Sequence, residues 1–142
     1  MRKLYTYNTF HAALAYRGAL RGCETIADCF ADTVVLDGAK GALDESCRAL
    51  QAEYGWSKHQ MARWADGVVA QTDNPTLGDT VARYGADPRR KLGRSDRIVG
   101  PLLLARRHNI LAPYLTQVLV AALLYRDPND AGAAAVLAQV MD

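Results

Sequence analysis

Leu4-Tyr5-Thr6-Tyr7-Asn8-Thr9-Phe10-His11-Ala12-Ala13-Leu14-Ala15-Tyr16-Arg17-Gly18-Ala19-Leu20 is the stretch on which the fold turns. Wound at about 100° per residue, it is apolar or small on most sides and rich in alanine. A helix hydrophobic nearly all round belongs inside a core rather than on a surface. No alternation at period two competes with this reading. Arg21-Gly22 stops the helix, because glycine readily takes the left-handed conformation that ends one. A buried first helix requires other elements to surround it.

Those elements can be read outward along the chain. Thr25 caps a short helix to Phe30, with Asp28 three residues on as a weaker form of the capping box. A longer helix runs from about Val34 to Tyr54, with Leu36, Ala39, Leu43, Cys47 and Leu50 on one stripe, and Gly55 closes it. Ser57 caps the next, which holds Met61, Trp64, Ala65 and Val68. Asn74-Pro75 signals a turn, after which Thr76 is expected to cap a short helix to Tyr84. Gly85 to Gly93 reads as an irregular basic loop, and Ser95 as the cap of a helix to about His108. Helices Pro113–Tyr125 and Asp130–Met141, split by Asp127-Pro128-Asn129, complete the chain. The expectation is one all-α domain over residues 1–142, without a sheet, repeat or linker.

Composition agrees. The chain has 142 residues, half of them hydrophobic, enough to bury a core without disulfides or metals. A formal net charge of +2 argues against disorder and against a surface built wholly for nucleic acid. Cys23, Cys29 and Cys47 contain no C-x-x-C pair and read as reduced thiols. No segment approaches the roughly 18 uninterrupted apolar residues of a membrane helix, and the first residues lack the apolar run of a signal peptide. These features lead us to expect a soluble, cytoplasmic protein with no membrane contact.

Several chemistries are not encoded. No G-x-G-x-x-G or G-x-x-x-x-G-K-[ST] follows a strand, so neither common phosphate cradle is present and no cofactor-binding residue is assigned. His11, His59 and His108 are too dispersed for a metal motif such as H-E-x-x-H, so no metal ligand is assigned either.

The first helix does carry one constellation. Asn8 and His11 fall within about 60° of each other, with Lys3 beyond His11 on the same side. Spacing alone leaves two readings open. Lys3 is a solvated amine while Asn8 and His11 satisfy nearby backbone groups, or the three form a polar site on an otherwise apolar helix.

Lys3-x4-Asn8-x2-His11, followed by Ala12, resembles the K-x-x-x-x-N-x-x-H signature of the polyol-specific long-chain dehydrogenases. Thr25-Ile26, Gly41-Ala42-Leu43, Tyr54-Gly55, Asn74-Pro75, Arg90-Lys91-Leu92 and Asp96-Arg97 continue the likeness, in order, to about Tyr125. They are similar to the mannitol 1-phosphate branch of that family. The resemblance implies the helical C-terminal domain type shared by the 6-phosphogluconate dehydrogenase-like enzymes. The family's nucleotide-binding domain, which precedes this one, is not in the present sequence.

The resemblance further implies NAD-dependent interconversion of mannitol 1-phosphate and fructose 6-phosphate. By position, Lys3 is then the general base, which requires desolvation to lower its pKa. Asn8 is an oxyanion donor, and His11 orients the sugar through a hydroxyl. Arg83 and Lys91 match the family's R-x7-K, which contacts substrate oxygens. Phe10 departs from the usual glycine and is expected to crowd the pocket. Lys3, two residues from the first, is expected to be hydrated unless another domain covers it.

Arg83, Arg89, Arg90, Lys91, Arg94, Arg97, Arg106 and Arg107 fall close together. A solvated, partly salt-bridged face accounts for most of them. Arg90 and Arg94 are the candidates for a phosphate dianion, which guanidinium forks suit. A nucleic-acid footprint finds no support from aromatic interleaving, Tyr84 apart.

Two classes of function therefore stand. The chain is the substrate half of a NAD-dependent dehydrogenase, inactive alone and binding no cofactor by itself. Alternatively it is a standalone binding or oligomerising module that kept the fold. Self-association is expected because the apolar Leu4–Leu20 helix would be only partly covered. In either class the chain should fold by itself, and circular dichroism should show a mostly helical spectrum with one cooperative melt. A strand-dominated spectrum would contradict this.

Overall fold

A computed structural model of the chain describes residues 1–74 and 78–126. Its elements are a π-helical turn at Leu4–Asn8, then α1 (Thr9–Leu20), α2 (Ile26–Ala31), α3 (Thr33–Tyr54) and α4 (Lys58–Thr72). The short α5 (Val81–Gly85) and α6 (Pro88–Lys91) lead into α7 (Val99–Arg107) and α8 (Pro113–Leu124). The pairing of Thr25 with Thr80 is a single isolated bridge and no sheet forms from it. The described residues are all-α, as the sequence implied.

α1 is the axis. Phe10, Ala13, Leu14, Ala15 and Tyr16 have no accessible surface, with α3, α5, α8 and α2 packed around them. Burying side chains such as Phe10 and Leu14 contributes about 1.5–3 kcal/mol each. Close approach needs small residues. A Cβ on Gly18 would lie 2.6 Å from the Cys29 sulfur, so α2 could not seat there with any larger residue. α3 spans the domain and carries α4 on one flank and α7 and α8 on another. Ala39, Leu43, Cys47 and Leu50 of its expected stripe are buried, and Leu36 is half-buried.

Most helix ends follow local chemistry. The Thr25 hydroxyl accepts from Asp28 N at 3.0 Å while Thr25 N donates to the Asp28 carboxylate at 3.1 Å, which completes a capping box. Gly55 closes α3 at φ 68°, and Ser57 accepts from Gln60 N at the start of α4. α3 starts at Thr33, one residue before the expected Val34, because the Asp32 carboxylate takes both Val34 N and Val35 N.

Three expectations need correction. α5 is capped by Thr80, whose hydroxyl accepts from Arg83 N, while Thr76 lies outside the described residues. The basic loop contains one helical turn, α6, because Pro88 at its first position is preset for helix. Ser95 caps nothing among the described residues. The chain turns from Gly93 to Ile98, the Ser95 carbonyl accepts from the Tyr5 hydroxyl, and α7 starts only at Val99. This chain's own helices pack around most of α1, with Leu20 left exposed at its end. The remaining sequence helix, Asp130–Met141, and its preceding break lie outside the described residues. Among those described, no helix is long and apolar enough to cross a membrane.

One buried carboxylate joins two layers. Glu45, in the middle of α3 and 2 % exposed, accepts Tyr114 N at 3.1 Å and Leu115 N at 2.8 Å. Those amides are orphan donors at the start of α8, whose own cap position, Ala112, supplies no side-chain acceptor. Burial pushes the Glu45 carboxyl up, and the two amides oppose that rise. Glu45→Ala should therefore cost about 2–4 kcal/mol, since each stranded buried donor costs about 1–3 kcal/mol. Urea denaturation would measure it, and an unchanged midpoint would contradict this account of the α3–α8 joint.

Candidate functional site

The first turn of the chain is not α-helical. Asn8 N donates to Lys3 O at 3.3 Å, a bond spanning five residues. In an α-helix positions five apart would be separated by about 140° around the axis. The wider turn instead brings Asn8 round above Lys3. The K-x4-N spacing thus coincides with one π turn, and such turns occur often at functional sites.

A π turn leaves backbone carbonyls without their usual partners, and side chains answer for them. The Thr6 hydroxyl donates to Arg2 O, and the Ser46 hydroxyl of α3 donates to Tyr5 O. The Thr9 hydroxyl lies 3.3 Å from Leu4 O and 2.6 Å from Arg97 O. From α4, Trp64 Nε1 donates to the Thr6 hydroxyl at 2.8 Å, and the Arg2 guanidinium lies 3.8 Å from the Trp64 ring centre. The turn is held from three elements. Lys3 is exposed at its outer end and Asn8 is half-buried where it passes into α1.

One turn further, His11 is the centre of a polar cluster. Its Nε2 is 3.0 Å from the Thr72 hydroxyl, and its ring stacks on Tyr84 at 4.5 Å and 17°. Tyr7 meets the ring edge-on at 6.3 Å. Burial lowers its pKa to about 4, Arg97 and Lys91 push the same way, and Asp79 opposes them. His11 is therefore neutral near pH 7. The Tyr84 hydroxyl donates to the Asp79 carboxylate at 2.7 Å, and burial followed by that bond pushes the phenol up.

The basic residues separate into distinct places. Arg83 is largely exposed and pairs with Asp79 at 2.7 Å, which sets it beside Tyr84. Lys91 is buried, with its ammonium donating to Tyr84 O at 2.8 Å. Arg90 is exposed and pairs with Asp87 at 3.1 Å. Arg94 opens onto a different cleft, lined also by Met1, Tyr5, Glu53 and Arg106. The structure thus gathers His11, Arg83 and Lys91 around Tyr84, and directs Arg94 elsewhere. Phe10, expected to crowd the pocket, is instead wholly buried with its ring 6.2 Å from Phe30 in an edge contact.

Thr72 and Asp79 escaped the sequence reading, and Tyr84 and Arg97 were not assigned to the site. Thr72 and Asp79 also line a cleft of about 220 Å³ together with Thr25, Phe30, Asp73 and Asn74. Arg97 is mostly buried, bound to Asp96 at 2.8 Å, and its charge acts on His11. Asp96-Arg97 was visible as a motif and Tyr84 as a lone aromatic among bases. Nothing in the sequence pointed to Thr72, which meets His11 from 61 residues away.

The chain is 35 % identical over 141 residues to a mannitol-1-phosphate 5-dehydrogenase of Brevibacillus brevis, covering 99 % of this chain and 36 % of that protein. It is 37 % identical over 132 residues to the enzyme of that name from Pseudarthrobacter chlorophenolicus, covering 93 % and 34 %. It is also 37 % identical over 140 residues to that of an Arthrobacter species, covering 99 % and 36 %. The chain therefore spans about a third of the length of these relatives. The model of the mannitol dehydrogenase C-terminal domain matches residues 1–141, and the chain belongs to that family.

Proposed function

We propose that this chain is the substrate-binding and proton-transferring half of an oxidoreductase that interconverts mannitol 1-phosphate and fructose 6-phosphate. The observation that carries the reading is the π turn. It aligns Lys3 and Asn8 at the mouth of the helix that bears His11, and side chains from three elements maintain it. A backbone irregularity supported at that level suits a site that must hold an amine and an amide together.

On this reading Lys3 removes the proton of the hydroxyl under oxidation, and Asn8 donates a hydrogen bond to the oxygen as negative charge develops. Neutral His11 orients the polyol through a hydroxyl, and Lys91 and Arg83, both held next to Tyr84, contact its oxygens. Arg90, next to Lys91 in α6, is the candidate for the phosphate. Arg94, in its separate cleft, would reach only a phosphate that extends there. The Lys3 side chain is exposed, so its use as a base requires a second surface to exclude water from it.

NAD supplies the hydride acceptor when bound. Among the described residues no strand, glycine turn and helix follow one another, so this chain's residues do not fit that cofactor. The nucleotide-binding domain of a longer partner protein or chain is the required complement. The alternative, a module that kept the fold without the chemistry, would leave the support of the π turn without a use.

Two outcomes follow. The 142-residue chain alone should form no NADH with mannitol 1-phosphate and NAD, as read at 340 nm, and measurable turnover would contradict the division of labour. With a matching nucleotide-binding domain joined upstream, Lys3→Ala should lower kcat by about 10²–10⁴ without loss of helical signal. A Lys3→Ala enzyme with undiminished kcat would remove Lys3 as the base.

A further inference from the structure

We infer that Thr72 is a positioning residue that fixes His11 as its Nε2–H tautomer and leaves Nδ1 as a bare acceptor, so that the site selects a substrate hydroxyl there over a carbonyl. The inference deepens the reading of His11 as a substrate contact and rests on it.

One hydrogen atom decides the tautomer. A threonine hydroxyl carries a single O–H and two lone pairs. The Thr72 hydroxyl lies 2.8 Å from the carbonyl oxygen of Val68, one turn earlier in α4, and a carbonyl can only accept. The hydroxyl hydrogen is thereby used. At its second contact, 3.0 Å to His11 Nε2, the threonine oxygen has only lone pairs to offer. The ring must donate, so Nε2 carries the hydrogen. A neutral imidazole has only one, and burial keeps this ring neutral near pH 7. Nδ1 is then unprotonated.

The neighbours show why threonine is needed for this choice. Stacking on Tyr84 fixes the plane of the ring, and Tyr84 is itself tied to Asp79. A half-turn about the bond to Cβ would preserve that plane and exchange the two edges. Stacking therefore cannot decide which nitrogen faces where, and the bond to Thr72 can. Nor does any described residue claim Nδ1. It has no hydrogen bond to a described residue, and it is not sealed, since the sole sealed side-chain nitrogen or oxygen lacking a partner among the described residues is Arg17 Nε. A bare imidazole nitrogen attracts an O–H hydrogen and repels a carbonyl or carboxylate oxygen. A polyol supplies the first at every carbon it has not had oxidised.

The test reads the tautomer directly. In the ¹⁵N-labelled 142-residue chain at pH 7, long-range ¹H–¹⁵N spectra should show His11 with a protonated Nε2 and an unprotonated Nδ1. The signals are assigned by their loss in His11→Gln. A protonated Nδ1 would overturn the proposal. Thr72→Val, which keeps the shape and removes the hydroxyl, should give a mixture of tautomers, while Thr72→Ser should retain the Nε2–H form. An unchanged tautomer in Thr72→Val would remove threonine from its role, and if that variant does not fold, the wild-type and serine spectra still decide. In the enzyme completed by a nucleotide-binding domain, Thr72→Val should raise KM for mannitol 1-phosphate about tenfold with kcat little changed, and Thr72→Ser should restore it. A switched tautomer with KM unaltered would overturn hydroxyl selection. Failure of the Lys3 experiment alone would strike the proposed catalysis and leave the tautomer result standing.

Discussion

Burial of α1 on all sides constrains everything around it. A helix with so little solvent face must present small residues where others cross it, and Gly18 and the alanines do so. It must also give each polar side chain a partner, because an unpaired buried polar group costs about 1–3 kcal/mol. Thr9 meets the Arg97 carbonyl, His11 meets Thr72, and the Tyr16 hydroxyl donates to Gly85 O at 3.0 Å. Arg17 reaches Gln117 but leaves its Nε sealed without a partner. These partners come from α4, α5, α8 and the segment before α7, so satisfying α1 also fixes where distant parts of the chain must lie.

The π turn extends that constraint to the chain start. Inserting one residue into a helical turn rotates everything before it relative to everything after, and it disturbs the carbonyl ladder. Ser46 and Thr6 take up the Tyr5 and Arg2 carbonyls, and Trp64 braces Thr6. The result is a helix whose buried part keeps α geometry while its mouth presents Lys3 and Asn8 in one line. Packing stabilises an arrangement that local backbone preference would not choose.

Charge is handled locally. Arg83, Arg90 and Arg97 each pair with an aspartate within four residues, Asp79, Asp87 and Asp96. The Arg83 and Arg90 pairs keep an exposed guanidinium and are worth about 0–1 kcal/mol each, whereas Arg97 and Asp96 are mostly buried. Asp79 is the exception in consequence. It binds Arg83 and Tyr84 at once, and through the Tyr84 ring it supports the plane of His11. Lys91 and Arg97 act in the opposite sense, and with burial they keep the imidazole neutral.

Helix type, most helix ends and the central place of α1 were legible because they depend on residues within one turn of each other. Thr25 with Asp28, Ser57 with Gln60 N, and Gly55 at positive φ need no distant partner. The Lys3, Asn8 and His11 constellation was legible as spacing, and the resemblance gave it a meaning. Its geometry was not, since an α-helical wheel places Lys3 and Asn8 far apart and only contacts with Ser46 and Trp64 make the wider turn tenable. Ser95 failed as a cap because Tyr5, 90 residues away, claims its carbonyl and turns precede α7. The sequence by itself determined what each segment prefers, because propensity, capping and periodicity are short-range. The tertiary structure alone decided which groups meet Thr72, Asp79 and Tyr84. Hydrogen bonds and ring contacts require a few ångströms of approach, and only the packing of α1 against the other helices brings those groups that close.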